Sequence, residues 1–280
     1  MKKPLISFLL LAALILAIFW AVSNRSPIVS SEAMGTFVTV KGEHAAEAIK
    51  EIKRLDHLFS KFDPNSEVSR INAAAGRSQL KVSDDTFNAI AQAIEVSRLS
   101  EGAFDITLGR NGSWRDMLID PDKKTIYLKK AGMKIDLGGI GKGYAVEQAR
   151  EILRGKGAKK ALIDMHSSIA AIGGPWRIGV TDPRAQDTVL GVVLLNDGDA
   201  LSTSGQYEQP GHIIDPRTGM KADQCLSVTI IGKDAGLADA LTTAVFVLGP
   251  EKGMELIIKM KVRGIIVGKS GKIVRNTQLL

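Results

Sequence analysis

Residues 135–149 read I-D-L-G-G-I-G-K-G-Y-A-V-E-Q-A, and no other stretch says as much about how this chain must fold. Gly138, Gly139, Gly141 and Gly143 crowd between Asp136 and Tyr144. An amphipathic helix follows at once, with Ala145, Ala149, Ile152 and Leu153 on its apolar side. Two readings fit this junction. One is an anion cradle, in which glycines let backbone N–H groups approach a phosphate, the helix start adds a partial positive charge and Lys142 adds a full one. The other is an ordinary tight strand-to-helix turn. It is not a Walker loop, since G-x-x-x-x-G-K-[ST] is absent, and the usual dinucleotide spacing is absent too.

With 280 residues and 45% apolar content the chain can bury a substantial core, as one large domain or two intimate lobes. Two of its net +7 charges, Lys2 and Lys3, precede an uncharged run over 4–24, and Arg25 follows it. The apolar stretch from Leu5 to Val22, about 18 residues, is long enough for a bilayer core of roughly 30 Å. Residues 1–24 therefore read as a signal peptide or a retained membrane anchor. Both place the body, 25–280, outside the cytoplasm. Ala21 and Ser23 have the spacing of a cleavage site, but Phe19 and Trp20 crowd it. The length of the run leans toward the anchor. The other basic residues are dispersed, so nucleic acid is not an expected partner. A mildly positive surface suits an anionic dinucleotide or a membrane face. Cys225 is the chain's one cysteine, so stability rests on packing rather than on an internal disulfide.

Periodicity predicts a strand over 35–41 and a helix over 45–60 with Ala45, Ala48, Ile49, Ile52, Leu55 and Phe59 on one face. A second helix spans about 83–99, with Ser83 as its N-cap and Asp84 and Asp85 at the positive end of its dipole. A hairpin is expected over 118–128 and a helix over 144–154. Strands follow at 161–165, 169–172, 176–181, 189–195 and 227–231. Two helices, 237–248 and 251–261, precede short strands at 264–267 and 272–275. Helices and strands cluster rather than alternate, so the expected class is α+β.

Asp239 and Thr243 lie four apart on one predicted helix and share a face. Carboxylate and hydroxyl together offer oxygen ligands to a hard cation; alternatively Asp239 is a solvated first-turn residue and Thr243 bonds back to its own helix. Among the four histidines only His212 falls in a motif, H-I-I-D-P-R-T-G. It is either a base able to take a proton from a hydroxyl near neutral pH or a cap on the turn that Pro216 and Gly219 form. Arg217 in that turn is a candidate phosphate contact.

Six segments in chain order, M-G-T at 34–36, A-F-D at 103–105, the glycine-rich stretch, T-S-G at 203–205, the His212 motif and A-D-A-L-T-T-A at 238–244, resemble the ApbE family of flavin transferases over roughly residues 32–278. The resemblance implies mixed or antiparallel sheets with flanking helices in one compact two-lobed domain. It implies that magnesium and FAD are used to attach FMN to a threonine or serine of a target protein, releasing AMP. Asp239, Thr243 and the Gly139 carbonyl would hold the metal. His212 and Asp239 would be catalytic. Met34, Phe62, Ala103, Phe104, Asp105, Asp136, Lys142 and Ile214 would contact the flavin nucleotide, Phe62 as a stacking surface unless it is simply a packed aromatic. The implied acceptor is a subunit of a membrane redox pump or an electron-transfer protein. A magnesium-dependent FAD pyrophosphatase and an anchored FAD-binding protein without turnover are the alternatives.

One segment departs from the family pattern. Where relatives carry G-G-[ND] after a strand, this chain has His166, Ser167 and Ser168. Loss of glycine there is expected to narrow the pocket or to change backbone contacts with the dinucleotide.

Overall fold

From Pro27 the chain forms a hairpin, β1 (Ile28–Ala33) and β2 (Thr36–Gly42), turned by Met34 and Gly35 in left-handed backbone, φ 51° and 70°. Helix α1 (Ala45–Phe59) buries all six residues that its spacing puts on one face. Helix α2 (Glu67–Ala74), β3 (Leu80–Lys81), helix α3 (Asp84–Leu99), β4 (Met117–Asp120) and β5 (Thr125–Leu128) follow, the strands making a small sheet in the order β3-β5-β4. Ser83 caps α3 as expected, its Oγ accepting the Thr86 N–H at 3.3 Å. The glycine-rich segment opens α4 (Gly141–Gly155). Then come β6 (Ala161–Asp164), β7 (Ser168–Ile172), β8 (Trp176–Thr181), β9 (Val189–Leu195), β10 (Ala200–Gly205) and β11 (Cys225–Gly232). Helices α5 (Ala235–Leu248) and α6 (Pro250–Lys259) precede β12 (Arg263–Gly268) and β13 (Ile273–Arg275).

These elements belong to a computed structural model that describes residues 27–185, 187–205, 211 and 213–280. The expected N-terminal anchor and His212 lie outside the described residues. Among the described residues no helix is long and apolar enough to cross a membrane.

The main sheet has eight strands in the order β1-β2-β6-β7-β10-β11-β12-β13, every neighbouring pair antiparallel. Its central strands bury both faces. On β7, Ala170 and Ile172 join the core under the helices, while Ile169 and Ala171 face Val180, Val193 and Leu195 of the β8–β9 hairpin behind the sheet. On β11 and β12 the same alternation sends Val228, Ile230 and Ile266 forward and Ile231 and Ile265 back. β7, β11 and β12, covered on both sides, read as apolar runs, which is why they stand out in the sequence.

Helix α5 is the central helix, packed against α4, α3, α6, β10 and β11. It is apolar almost all round, as a helix without a solvent face must be. Asp234 caps it, accepting the Leu237 N–H at 2.8 Å. The sequence reading missed β1, β3, α2 and β10. In β10 the residues Ser202 and Ser204 pair with Ser168 and Thr242 rather than with apolar neighbours, so no hydrophobic alternation marks the strand.

Candidate active site

Helices α4 and α5 meet most closely at Gly143. A Cβ there would stand 2.2 Å from the Ala235 carbonyl oxygen and 2.5 Å from Asp239 Cβ, so the approach requires glycine. It brings the Gly143 N–H to 2.9 Å from Asp239 Oδ2. The Gly143 N–H, which a regular ladder would give to the Gly139 carbonyl, is taken by Asp239, while the Tyr144 N–H goes to the Ile140 carbonyl at 2.9 Å. Gly139 itself sits between Phe104 and Thr243: a Cβ would lie 3.0 Å from the Phe104 ring and 3.6 Å from Thr243 Oγ1. Two helices thus place a carboxylate, a hydroxyl and a main-chain segment together without a flexible loop between them.

Asp239 is only 5% exposed, and burial pushes its pKa up. The charge of Lys142, the Gly143 N–H and the Ser168 hydroxyl oppose that rise. Ser168 in turn accepts from Ser202 Oγ at 3.2 Å. Ser204 Oγ lies 2.7 Å from Thr242 Oγ1 and 3.4 Å from Thr243 Oγ1, tying β10 to the face of α5 that carries Asp239.

Lys142, Ser204, Asp239 and Thr243 line a cavity of about 430 Å³. Of the residues expected to form a site, Ala103, Phe104, Asp105, Asp136, Gly139, Lys142, Ile214, Asp239 and Thr243 all reach it. Asp105 is buried and arranges its own loop: Oδ1 accepts the Thr107 N–H at 2.8 Å and Oδ2 the Trp114 N–H at 2.9 Å, against a burial cost that raises its pKa. Asp136 accepts the Gly138 N–H at 2.9 Å and pairs with Lys61 at 2.5 Å. Lys61, Lys142 and Arg110 give the cavity three cationic side chains. The loop bearing Ile214 and Pro216 rests on the one bearing Leu108 and Arg110, where a Cβ on Gly109 would fall 2.3 Å from the Pro216 carbonyl oxygen.

The description "ApbE family" fits two overlapping stretches of this chain, 34–116 and 110–266. The chain belongs to the ApbE family. It is 32% identical over 269 residues to an FAD:protein FMN transferase of Klebsiella pneumoniae (strain 342), an alignment covering 82% of this chain and 85% of that protein. A relative of the same name from Escherichia coli (strain K12) is 25% identical over 329 residues, covering 95% and 94%. Among solved structures, the ApbE protein of Thermotoga maritima superposes with a TM-score of 0.81 at 31% identity, over 90% of this chain and 97% of that one. The flavin transferase ApbE of Vibrio cholerae shares the fold at the same TM-score, 0.81, with 23% identity and the same coverage, 90% and 97%.

Three residues singled out in the sequence do not line the cavity. Phe62 is 86% exposed and does not line the cavity; the Lys61 ammonium stands 5.2 Å from its ring centroid, so it projects from the rim as neither a packed aromatic nor a cavity wall. Met34 also lies off the cavity, half-buried against the main core at the β1–β2 turn. Arg217 is not a cavity residue: its Nε and Nη2 fork onto Asp215 at 2.9 and 2.7 Å, which closes the turn instead. The sequence reading missed Lys61 and Arg110, and noted Ser167 only as a change of turn. Lys61 stood in plain view between Ser60 and Phe62, but one lysine beside a helix end carries no pattern of its own.

Proposed function

We infer that this chain is a flavin transferase, and propose that it moves FMN from FAD to a threonine or serine hydroxyl of an extracytoplasmic protein, releasing AMP. The observation that carries the reading is the convergence of Asp239, Thr243 and Gly139 at the α4–α5 contact, in a cavity with three cationic side chains. An oxygen-only donor set of carboxylate, hydroxyl and carbonyl fits a hard divalent cation, and a desolvated carboxylate gains most from one. Among the described residues no cluster of three histidine, cysteine or acidic side chains offers a different metal site. Magnesium held there supplies charge neutralisation at the pyrophosphate.

The protein's own groups would do the rest. Lys142 and the start of α4 hold the phosphates, and Asp136, pinned by Lys61, fixes the loop between them. The acceptor oxygen forms a bond to the FMN phosphorus as the bond to the bridging oxygen breaks, and AMP leaves with that electron pair. His212 would take the hydroxyl proton. The N-terminal run would keep the enzyme at the membrane beside flavin-carrying redox subunits.

The test is to incubate the full chain in detergent with FAD, magnesium and an acceptor domain bearing an exposed threonine, reading intact mass and AMP. An acceptor gain of one FMN, absent with Asp239→Ala, supports transfer. AMP with free FMN marks a pyrophosphatase, and bound FAD without either product marks a binding protein.

A further inference from the structure

The turn that departs from the family pattern holds the least satisfied polar group of the cavity. Ser167 is 8% exposed, lines the cavity, and its Oγ has no hydrogen-bond partner among the described residues. Its backbone cannot swing to find one. The Ser167 N–H donates to the Met165 carbonyl at 2.7 Å, its carbonyl accepts the Thr203 N–H at 2.8 Å, and His166 before it holds a left-handed φ of 65°. A buried hydroxyl without a partner is costly in the empty protein and becomes useful when a ligand supplies the partner. Ser167 lines the same cavity as Asp239 and Thr243. Three cations line the cavity with Asp105, Asp136 and Asp239; Lys61 is spent on Asp136, and Lys142 and Arg110 are the charges left to meet an anion.

We propose that Ser167 is a substrate-binding residue whose hydroxyl donates a hydrogen bond to a phosphate oxygen of the bound dinucleotide, an assignment that rests on the flavin-transfer reading above. The turn thereby supplies a side-chain donor where the family's glycine has none to offer.

The experiment compares wild type, Ser167→Ala and Ser167→Gly as full chains in detergent, with magnesium and no acceptor. Flavin fluorescence gives Kd for FAD and riboflavin, competition gives Kd for ADP, and tryptophan fluorescence gives the Tm of the ligand-free protein. Both variants should raise Kd for FAD and ADP by roughly tenfold or more and leave riboflavin unchanged. Ser167→Ala should leave the ligand-free Tm equal or higher, because an unpaired buried hydroxyl is gone; a structural hydroxyl would lower it. Unchanged affinity for FAD in a folded variant overturns the assignment, as does an equal loss for riboflavin, which would put the hydroxyl against the flavin. A wild-type protein that binds no FAD overturns the functional reading itself, and this assignment with it.

Discussion

Glu147 and Asp239 are both acidic, both largely withdrawn from water, and both at the contact between α4 and α5, yet they are held differently. Glu147 meets the Nη2 of Arg150 at 2.5 and 2.6 Å and accepts the Ala235 N–H at 2.8 Å. Arg150, 2% exposed, also donates to the carbonyls of Gly198 at 2.8 Å and Lys233 at 2.5 Å. Asp239 receives one amide N–H and one hydroxyl, with Lys142 acting through space, and burial still holds its pKa up. A buried ion pair that is hydrogen-bonded to its surroundings is structure, joining two helices to the β9–β10 turn. A buried carboxylate left short of positive charge is where a cation belongs.

The sharpest way to break this contrast is Asp239→Asn. Transfer, followed as single-turnover AMP release, should fall roughly a thousandfold, while Tm holds or rises because a poorly compensated charge is removed. A large drop in Tm would make Asp239 structural after all. Arg150→Met should do the reverse, costing about 3–5 kcal/mol in urea denaturation by stranding Glu147, with turnover per folded molecule kept; adding Glu147→Leu should recover most of the loss. Gly143→Ala lies between the two carboxylates and should touch both properties. Forcing the helices apart costs about 1–3 kcal/mol, and displaced oxygen donors should move the magnesium titration to higher concentration. Least in size is a neutral buried group as control. Burial pushes the Cys225 thiol from 9.0 up to about 12. Its contribution is complete below the unfolded value and is lost as pH rises through the folded one, so the advantage of wild type over Cys225→Ala should shrink between about pH 9 and 12.

How much of this could be read beforehand depended on contrast. Ala45 through Phe59 repeat at helical spacing against charged neighbours, and Ser83 precedes two aspartates, so α1 and the cap of α3 were legible. Asp239, Thr243 and Gly139 were legible as a motif, though not the helix approach at Gly143 that unites them, since nothing in a sequence measures a 2.2 Å clearance. β10 was opaque because its serines and threonines find partners of their own kind, Thr203 with Thr229 at 2.9 Å and Ser204 with Thr242 at 2.7 Å. Ser167 was noticed as a replaced glycine, but whether its hydroxyl had a partner is a three-dimensional fact.

The seam where Gly109 lies under the Pro216 carbonyl bears on how such a protein can change over time. The wall of the cavity is formed there by main chain against main chain, with no room for a Cβ on Gly109. Side chains facing outward from either loop can therefore drift without altering that wall. Adding or removing a residue in either loop would shift the seam and reshape the cavity, while the donors on α4 and α5 stay where they are. The shape of the cavity would then change through loop length rather than through revision of the chemistry.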